Sequence, residues 1–167
     1  MFTKSLVLIA TIATTTIATT ASATTASATA ADTPAQLEEG KGIYMTICIA
    51  CHQPTGLGLP GVFPSLAKSD FVVGSPERLT AMVLKGINPP FKYKDVTYAV
   101  PMIPQEAVLT DDKIASVLTY VRASFENSAA PVSGAFVAGV RKKILDRKTP
   151  WTEAELTAWK DEAAPAK

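Results

Sequence analysis

The clearest apolar stripe in the chain is Ile114, Val117, Leu118 and Val121, spaced i, i+3, i+4, i+7. Spacing of that period puts all four on one helix face. Thr110 with Asp111-Asp112 supplies the cap and acidic first turn, so a helix is expected from there to near Asn127. Ser75-Pro76-Glu77 opens a second helix by cap, N1 proline and acidic turn; it carries Leu79, Met82 and Val83 and stops at Gly86. Earlier, Thr33-Pro34 reads as a start, and Leu37, Ile43, Tyr44 and Ile47 lead at helical spacing to Cys48. Gly40 and Gly42 weaken that helix by about 1 kcal/mol each, which suits a close approach by another element or a loose first turn. Ser133 starts a helix with Phe136, Val137, Val140 and Ile144 on one side and Arg141, Lys142 and Lys143 on the other. Thr152-Glu153-Ala154-Glu155 is a capping box, with Trp151 and Leu156 placed as its hydrophobic staple.

Between these elements the chain changes character. Residues 53–64 form a Gly/Pro-rich loop that is unusually apolar for a solvent loop, with Leu57, Leu59, Val62 and Phe63. Asn88-Pro89-Pro90 reads as a turn and Phe91 to Tyr98 as an extended excursion. No strand shows convincing alternation and no repeat is present. The expected fold class is all-α.

Length and composition narrow the class. The 167 residues make one domain the prior. Lys4, an apolar run from Leu6 to about Ile17 and an Ala/Thr/Ser tract ending at Ala30 have the layout of a secretory signal peptide, set at residues 1–30. Ala21-Ser22-Ala23 and Ala26-Ser27-Ala28 are competing cleavage sites, and an uncleaved anchor is the alternative reading. No second apolar segment approaches the length of a membrane span. With 16 basic and 15 acidic side chains, and Lys4 the only charge before residue 31, residues 31–167 are balanced in charge. Such a surface argues against a nucleic-acid partner.

The chemistry concentrates in Cys48-Ile49-Ala50-Cys51-His52. Two thiols three positions apart, followed at once by an imidazole, form the attachment signature for a c-type haem. Each thiol can add to one vinyl group, and the adjacent His is then the proximal iron ligand. A four-ligand zinc site would need more Cys or His, and this chain has only two Cys and one His. A disulfide or redox thiol pair stays open, although either leaves His52 unexplained. For the other axial position, Met1 leaves with the signal, Met45 lies one turn before Cys48, and Met82 sits mid-helix as a core filler. Met102 stands in Val100-Pro101-Met102-Ile103-Pro104, a stretch whose prolines forbid helix and restrict the backbone. It is the candidate sulfur ligand, with a surface-loop methionine as the other reading.

With these residues placed, the chain resembles the class I (monohaem) c-type cytochromes from roughly Leu37 to Asn127. The resemblance implies that Gly40 and Tyr44 cross Val117 and Tyr120, and that the carbonyl of Pro64 receives the His52 Nδ1–H, with Pro60 as an alternative. More narrowly, Phe63-Pro64-Ser65-Leu66, Gly74 to Leu79, Ala115 to Arg122 and the tail from Pro131 are similar to the cytochromes that accompany periplasmic quinoprotein (PQQ-dependent) dehydrogenases. Those relatives commonly have a Met-Pro pair at the sixth ligand, whereas Ile103 intervenes here before Pro104.

The resemblance implies a cytochrome c fold at residues 31–130, three to five helices around one covalent haem c and its iron, with a helical C-terminal extension at 131–167. It implies a periplasmic single-electron carrier with no catalytic residue, taking electrons from a dehydrogenase and passing them to an oxidase or another cytochrome. A haem enzyme or gas-binding cytochrome with an open sixth position is the alternative. Leu57 to Phe63, Leu66, Phe71 and Tyr98 are expected to exclude water from the haem. Lys85, Lys92 and Lys94 are expected either as a docking patch or as a solvated face. The tail helices, with Trp151 and Trp159, are expected to pack on the domain or to meet a partner.

Overall fold

The computed structural model describes residues 34–161; the signal-peptide reading at 1–30 and the Thr33 cap lie outside them. The first helix, α1 (Pro34–Ile43), continues without a break through a π-helical turn, Tyr44–Cys48, into α2 (Ile49–His52). Single π turns inside helices recur at functional sites, and this one ends on the first cysteine. Then come α3 (Asp70–Val73), α4 (Pro76–Lys85), a hairpin of β1 (Phe91–Tyr93) and β2 (Val96–Tyr98), α5 (Asp111–Ala123), α6 (Gly134–Lys143) and α7 (Glu153–Thr157). Among the described residues the architecture is helix-rich, with one two-stranded sheet.

The caps act where the sequence places them. Ser75 Oγ accepts from the backbone N–H of Arg78, Thr110 from Lys113, Ser133 from Phe136 and Thr152 from Glu155. Each removes one orphan donor from a helix N-terminus.

The molecule is built on the crossing of α1 and α5. Gly40 sits against the α5 backbone so closely that a Cβ there would lie 2.0 Å from the Ser116 carbonyl oxygen. Tyr44, fully buried one turn later, packs against Tyr120 and Phe125 at ring-centroid distances of 5.6 and 5.1 Å. Leu79 and Leu84 from α4, Ile114, Val117 and Leu118 from α5, and Val137 and Val140 from α6 extend the same core. The tail therefore packs on the domain. A Cβ at Gly42, by contrast, would have nothing within 4 Å, so the expected close approach belongs to Gly40 alone.

Three other local expectations change. The extended excursion is a true hairpin, paired Phe91 with Tyr98, Lys92 with Thr97 and Tyr93 with Val96. Its strands have three residues each, too short for alternation to register, and its turn residues Lys94 and Asp95 take positive φ (47° and 63°) without a glycine to signal them. Helix α5 ends at Ala123, before Asn127, because Ser124 is extended and Phe125 and Glu126 have positive φ. The Asn127 amide then donates to the carbonyls of Val121 and Leu66, closing the helix end with a side chain. Helix α3 has no counterpart in the sequence pattern; at four residues it has no readable period.

The tail carries its own polar lock. Arg147 lies over the Trp151 ring at 3.6 Å and pairs with Glu155, whose carboxylate also accepts from the Thr152 N–H at 2.8 Å. These partners, the Arg147 bonds first, hold the Glu155 carboxyl down at about 2. A depressed folded-state value gives stability that is present above the ordinary carboxyl range and is lost as pH falls through that low value. Glu155→Gln should thus lower the melting temperature at pH 7, and the gap from the parent should close as melts are repeated toward pH 2. A gap independent of pH would show that the charge contributes nothing.

Candidate haem site

The helical rod 34–52 delivers both thiols and the imidazole to one place. Gln53, at φ 63°, breaks the helix directly after His52. The Tyr44 hydroxyl donates to the Gln53 carbonyl at 2.6 Å, tying the start of the π turn to the end of the motif. Cys48 is half-buried and Cys51 exposed, and no disulfide joins them. Burial, and secondarily the neighbouring Cys51, pushes the Cys48 thiol up to about 11. At neutral pH it is protonated, which disfavours disulfide formation through its thiolate.

His52 Nδ1 lies 3.0 Å from the carbonyl oxygen of Pro64. A carbonyl only accepts, so Nδ1 carries the proton and Nε2 keeps its lone pair for a metal. Pro64, not Pro60, takes this position. Burial lowers the His52 pKa, opposed by the bond to Pro64, which favours the neutral, ligating imidazole.

Cys48, Cys51, His52, Pro64 and Met102 line one cavity of about 240 Å³. The remaining wall is mainly apolar. Leu66, Phe71 and Tyr98 line it as expected, and Phe91 on the hairpin adds a face the sequence did not reveal. Leu57 and Leu59 do not: they are 58% and 50% exposed, and only Phe63 of that loop segment reaches the wall. An apolar cleft with two free thiols and one oriented imidazole at its edge fits a covalently tethered, largely hydrophobic macrocycle with a single iron.

Met102 is held by its backbone. Its N–H donates to the Ile87 carbonyl at 3.0 Å, and the Ile87 N–H donates back to the Met102 carbonyl at 3.1 Å. Gly86 makes this possible. It has φ 72°, and a Cβ there would meet the Met102 carbonyl oxygen at 2.2 Å. Read from sequence only as a helix stop, Gly86 is also the point of approach to the methionine segment. Met82 lies in the same wall, buried on α4, while Met45 is 46% exposed.

Lys92 and Lys94 are exposed, as a solvated face requires, and Lys85 departs from both readings. Lys85 is buried and pairs with Glu106 at 2.7 Å, and Lys92 pairs with Asp95 at 3.5 Å. Lys94 lies over the Tyr93 ring and donates to the Lys68 carbonyl. The three do not form a shared basic patch.

A helical domain that brings Cys-x-x-Cys-His to the edge of an apolar cleft defines the class as a c-type cytochrome. Comparison with known proteins then gives the family. The family model described as "Cytochrome C oxidase, cbb3-type, subunit III" matches residues 35–121. Cytochrome c-552 of Thermus thermophilus is 33% identical over 116 residues, 66% of this chain and 86% of that protein. The fructose dehydrogenase cytochrome subunit of Gluconobacter japonicus is 30% identical over 115 residues, 65% of this chain but 23% of that subunit, so the chain corresponds to about a quarter of it. The chain belongs to this cytochrome c family, as a monohaem member similar to dehydrogenase-associated cytochromes, and its cofactor is one covalent haem c with its iron. Among the described residues no helix is long and apolar enough to cross a membrane.

Proposed function

We propose that the protein is a periplasmic single-electron carrier rather than an enzyme, with Cys48 and Cys51 as thioether anchors, His52 and Met102 as axial ligands, and Pro64 orienting His52. The observation that carries this reading is that His52 and Met102, fifty residues apart, line the same cavity, the His52 ring oriented by the Pro64 carbonyl and the Met102 backbone paired with that of Ile87. When bound, the haem supplies one Fe(III)/Fe(II) couple, taking up one electron and releasing one. The chain's part is to hold both axial donors in place in either oxidation state, which keeps reorganisation small. The neutral imidazole and the thioether bring no charge, and a soft sulfur donor favours the reduced state. Leu66, Phe71, Phe91 and Tyr98 exclude water, which favours the less charged state further.

The donor is proposed to be a dehydrogenase, supported by the similarity to the fructose dehydrogenase cytochrome subunit, and the acceptor an oxidase or another cytochrome. Residues 1–30 are assigned as the export signal, 31–130 as the cytochrome domain and 131–167 as a helical extension. The test is a potentiometric titration of the exported protein, with a peroxide-turnover assay on the same sample. A carrier gives one wave with a one-electron slope and no turnover. Sustained peroxide consumption would instead identify a haem enzyme.

A further inference from the structure

The methionine segment is not supported by the cytochrome domain alone. Ile87 bridges Met102 in antiparallel fashion on one side and Trp151, from the tail, in parallel fashion on the other. The Trp151 N–H donates to the Gly86 carbonyl at 3.0 Å, and the Asn88 N–H donates to the Trp151 carbonyl at 2.8 Å. Three segments distant in sequence thus form a miniature ladder: Met102, then Gly86–Asn88, then Trp151. Pro101 and Pro104 have no N–H to give. Beyond the ladder, the Ile103 carbonyl accepts from the Gln105 side chain at 2.9 Å, and the Gln105 N–H donates to the Val83 carbonyl at 3.0 Å just after the segment.

Trp151 is itself firmly placed. Its indole N–H donates to the Ala81 carbonyl at 2.9 Å, Arg147 covers one face of the ring, and Trp159 meets it edge-on at 5.2 Å. Arg147 also donates to the carbonyls of Thr149 and Pro150, which fixes the approach of the chain to Trp151. The ring packs against both hydrophobic clusters, one of which contains Met82, Ile87, Phe91, Tyr98 and the fully buried Leu156. Arg147, Trp151, Leu156 and Trp159 all lie beyond residue 121, where the family match ends.

We propose that Trp151 is a positioning residue for Met102: the C-terminal extension is a strap that fixes the Gly86–Asn88 turn and, through the Ile87 bridge, holds the thioether in the cavity. The proposal rests on reading Met102 as the sixth ligand. A loosened strap gives the Met102 segment more freedom to leave, without touching the haem attachment at Cys48 and Cys51.

The experiment measures the rate at which carbon monoxide enters the dithionite-reduced holoprotein, an event that requires the sixth ligand to depart. Trp151→Ala, which removes the indole bond and the ring contacts, should take up carbon monoxide roughly tenfold faster than the parent. Trp151→Phe keeps a ring and loses the indole N–H, and should shift the rate in the same direction by less. Val137→Ala lies in the same tail, is fully buried in α6 and is off the ladder; it should lower the melting temperature while leaving the uptake rate unchanged. The proposal is overturned if Trp151→Ala takes up carbon monoxide at the parental rate, or no faster than Val137→Ala. Should Trp151→Ala fail to accumulate, Trp151→Phe decides alone, and a parental rate there overturns the strap. Met102→Ala is measured beside them: an unchanged rate in that variant removes the ligand reading itself, whatever the Trp151 variants do.

Discussion

Gly40→Ala should destabilise the protein by about 3 kcal/mol, at the upper end of what overpacking costs. The added methyl would lie 2.0 Å from the Ser116 carbonyl oxygen, 2.6 Å from its carbon and 2.8 Å from the Tyr120 Cβ. Two of these atoms are helix backbone, which cannot rotate away as a side chain would. Relief requires α1 and α5 to separate, and that opens the contacts of Tyr44, Val117 and Leu118 in the main core. Alanine is the better helix former by about 1 kcal/mol, which reduces the loss without reversing it. Gly42→Ala provides the matched control. It sits two residues on in the same helix with open space around it, so it should raise stability by up to about 1 kcal/mol. Urea unfolding of the two holoproteins checks both signs at once. Equal midpoints would mean that the crossing is not the tight contact on which the domain is built.

Met102→Ala should produce the largest change at the iron. Loss of the thioether should abolish the low-spin signature of the reduced protein and open the site to carbon monoxide. The midpoint potential should fall on the order of 0.1 V, well within the ~0.8 V that axial ligation commands. Met82→Ala is the informative comparison, because both methionines line the cavity. Met82 is buried within α4, so its truncation should cost about 2–5 kcal/mol of stability and leave the spectrum intact. If instead Met82→Ala loses the low-spin bands and Met102→Ala keeps them, the sulfur ligand comes from α4. Neither variant should release the haem, whose tether is assigned to Cys48 and Cys51.

What the sequence made legible was local. Caps at Ser75, Thr110, Ser133 and Thr152 declare themselves within three residues, and the structure places helices behind all four. The thiols and the imidazole are adjacent in the chain, so their grouping needs no tertiary information. The prolines around Met102 revealed a non-helical segment but not what holds it. Features that depend on distant partners were invisible. The hairpin lacks a glycine turn, α5 is closed by an asparagine side chain instead of a glycine, and Lys85 is buried because Glu106 happens to face it. Gly40 and Gly42 are indistinguishable by propensity and differ only in what lies opposite. Trp151 was readable as a staple for α7, while its ladder with Ile87 joins residues 64 positions apart.

The most direct test of an iron held closed between His52 and Met102 is the absorption spectrum of the dithionite-reduced protein, recorded before and after carbon monoxide is admitted. Sharp low-spin bands that persist unchanged while the gas is mixed in, and yield only slowly, are the expected result. Immediate conversion to a carbon monoxide complex would mean that the sixth position is open and that the protein does not function as a closed electron carrier.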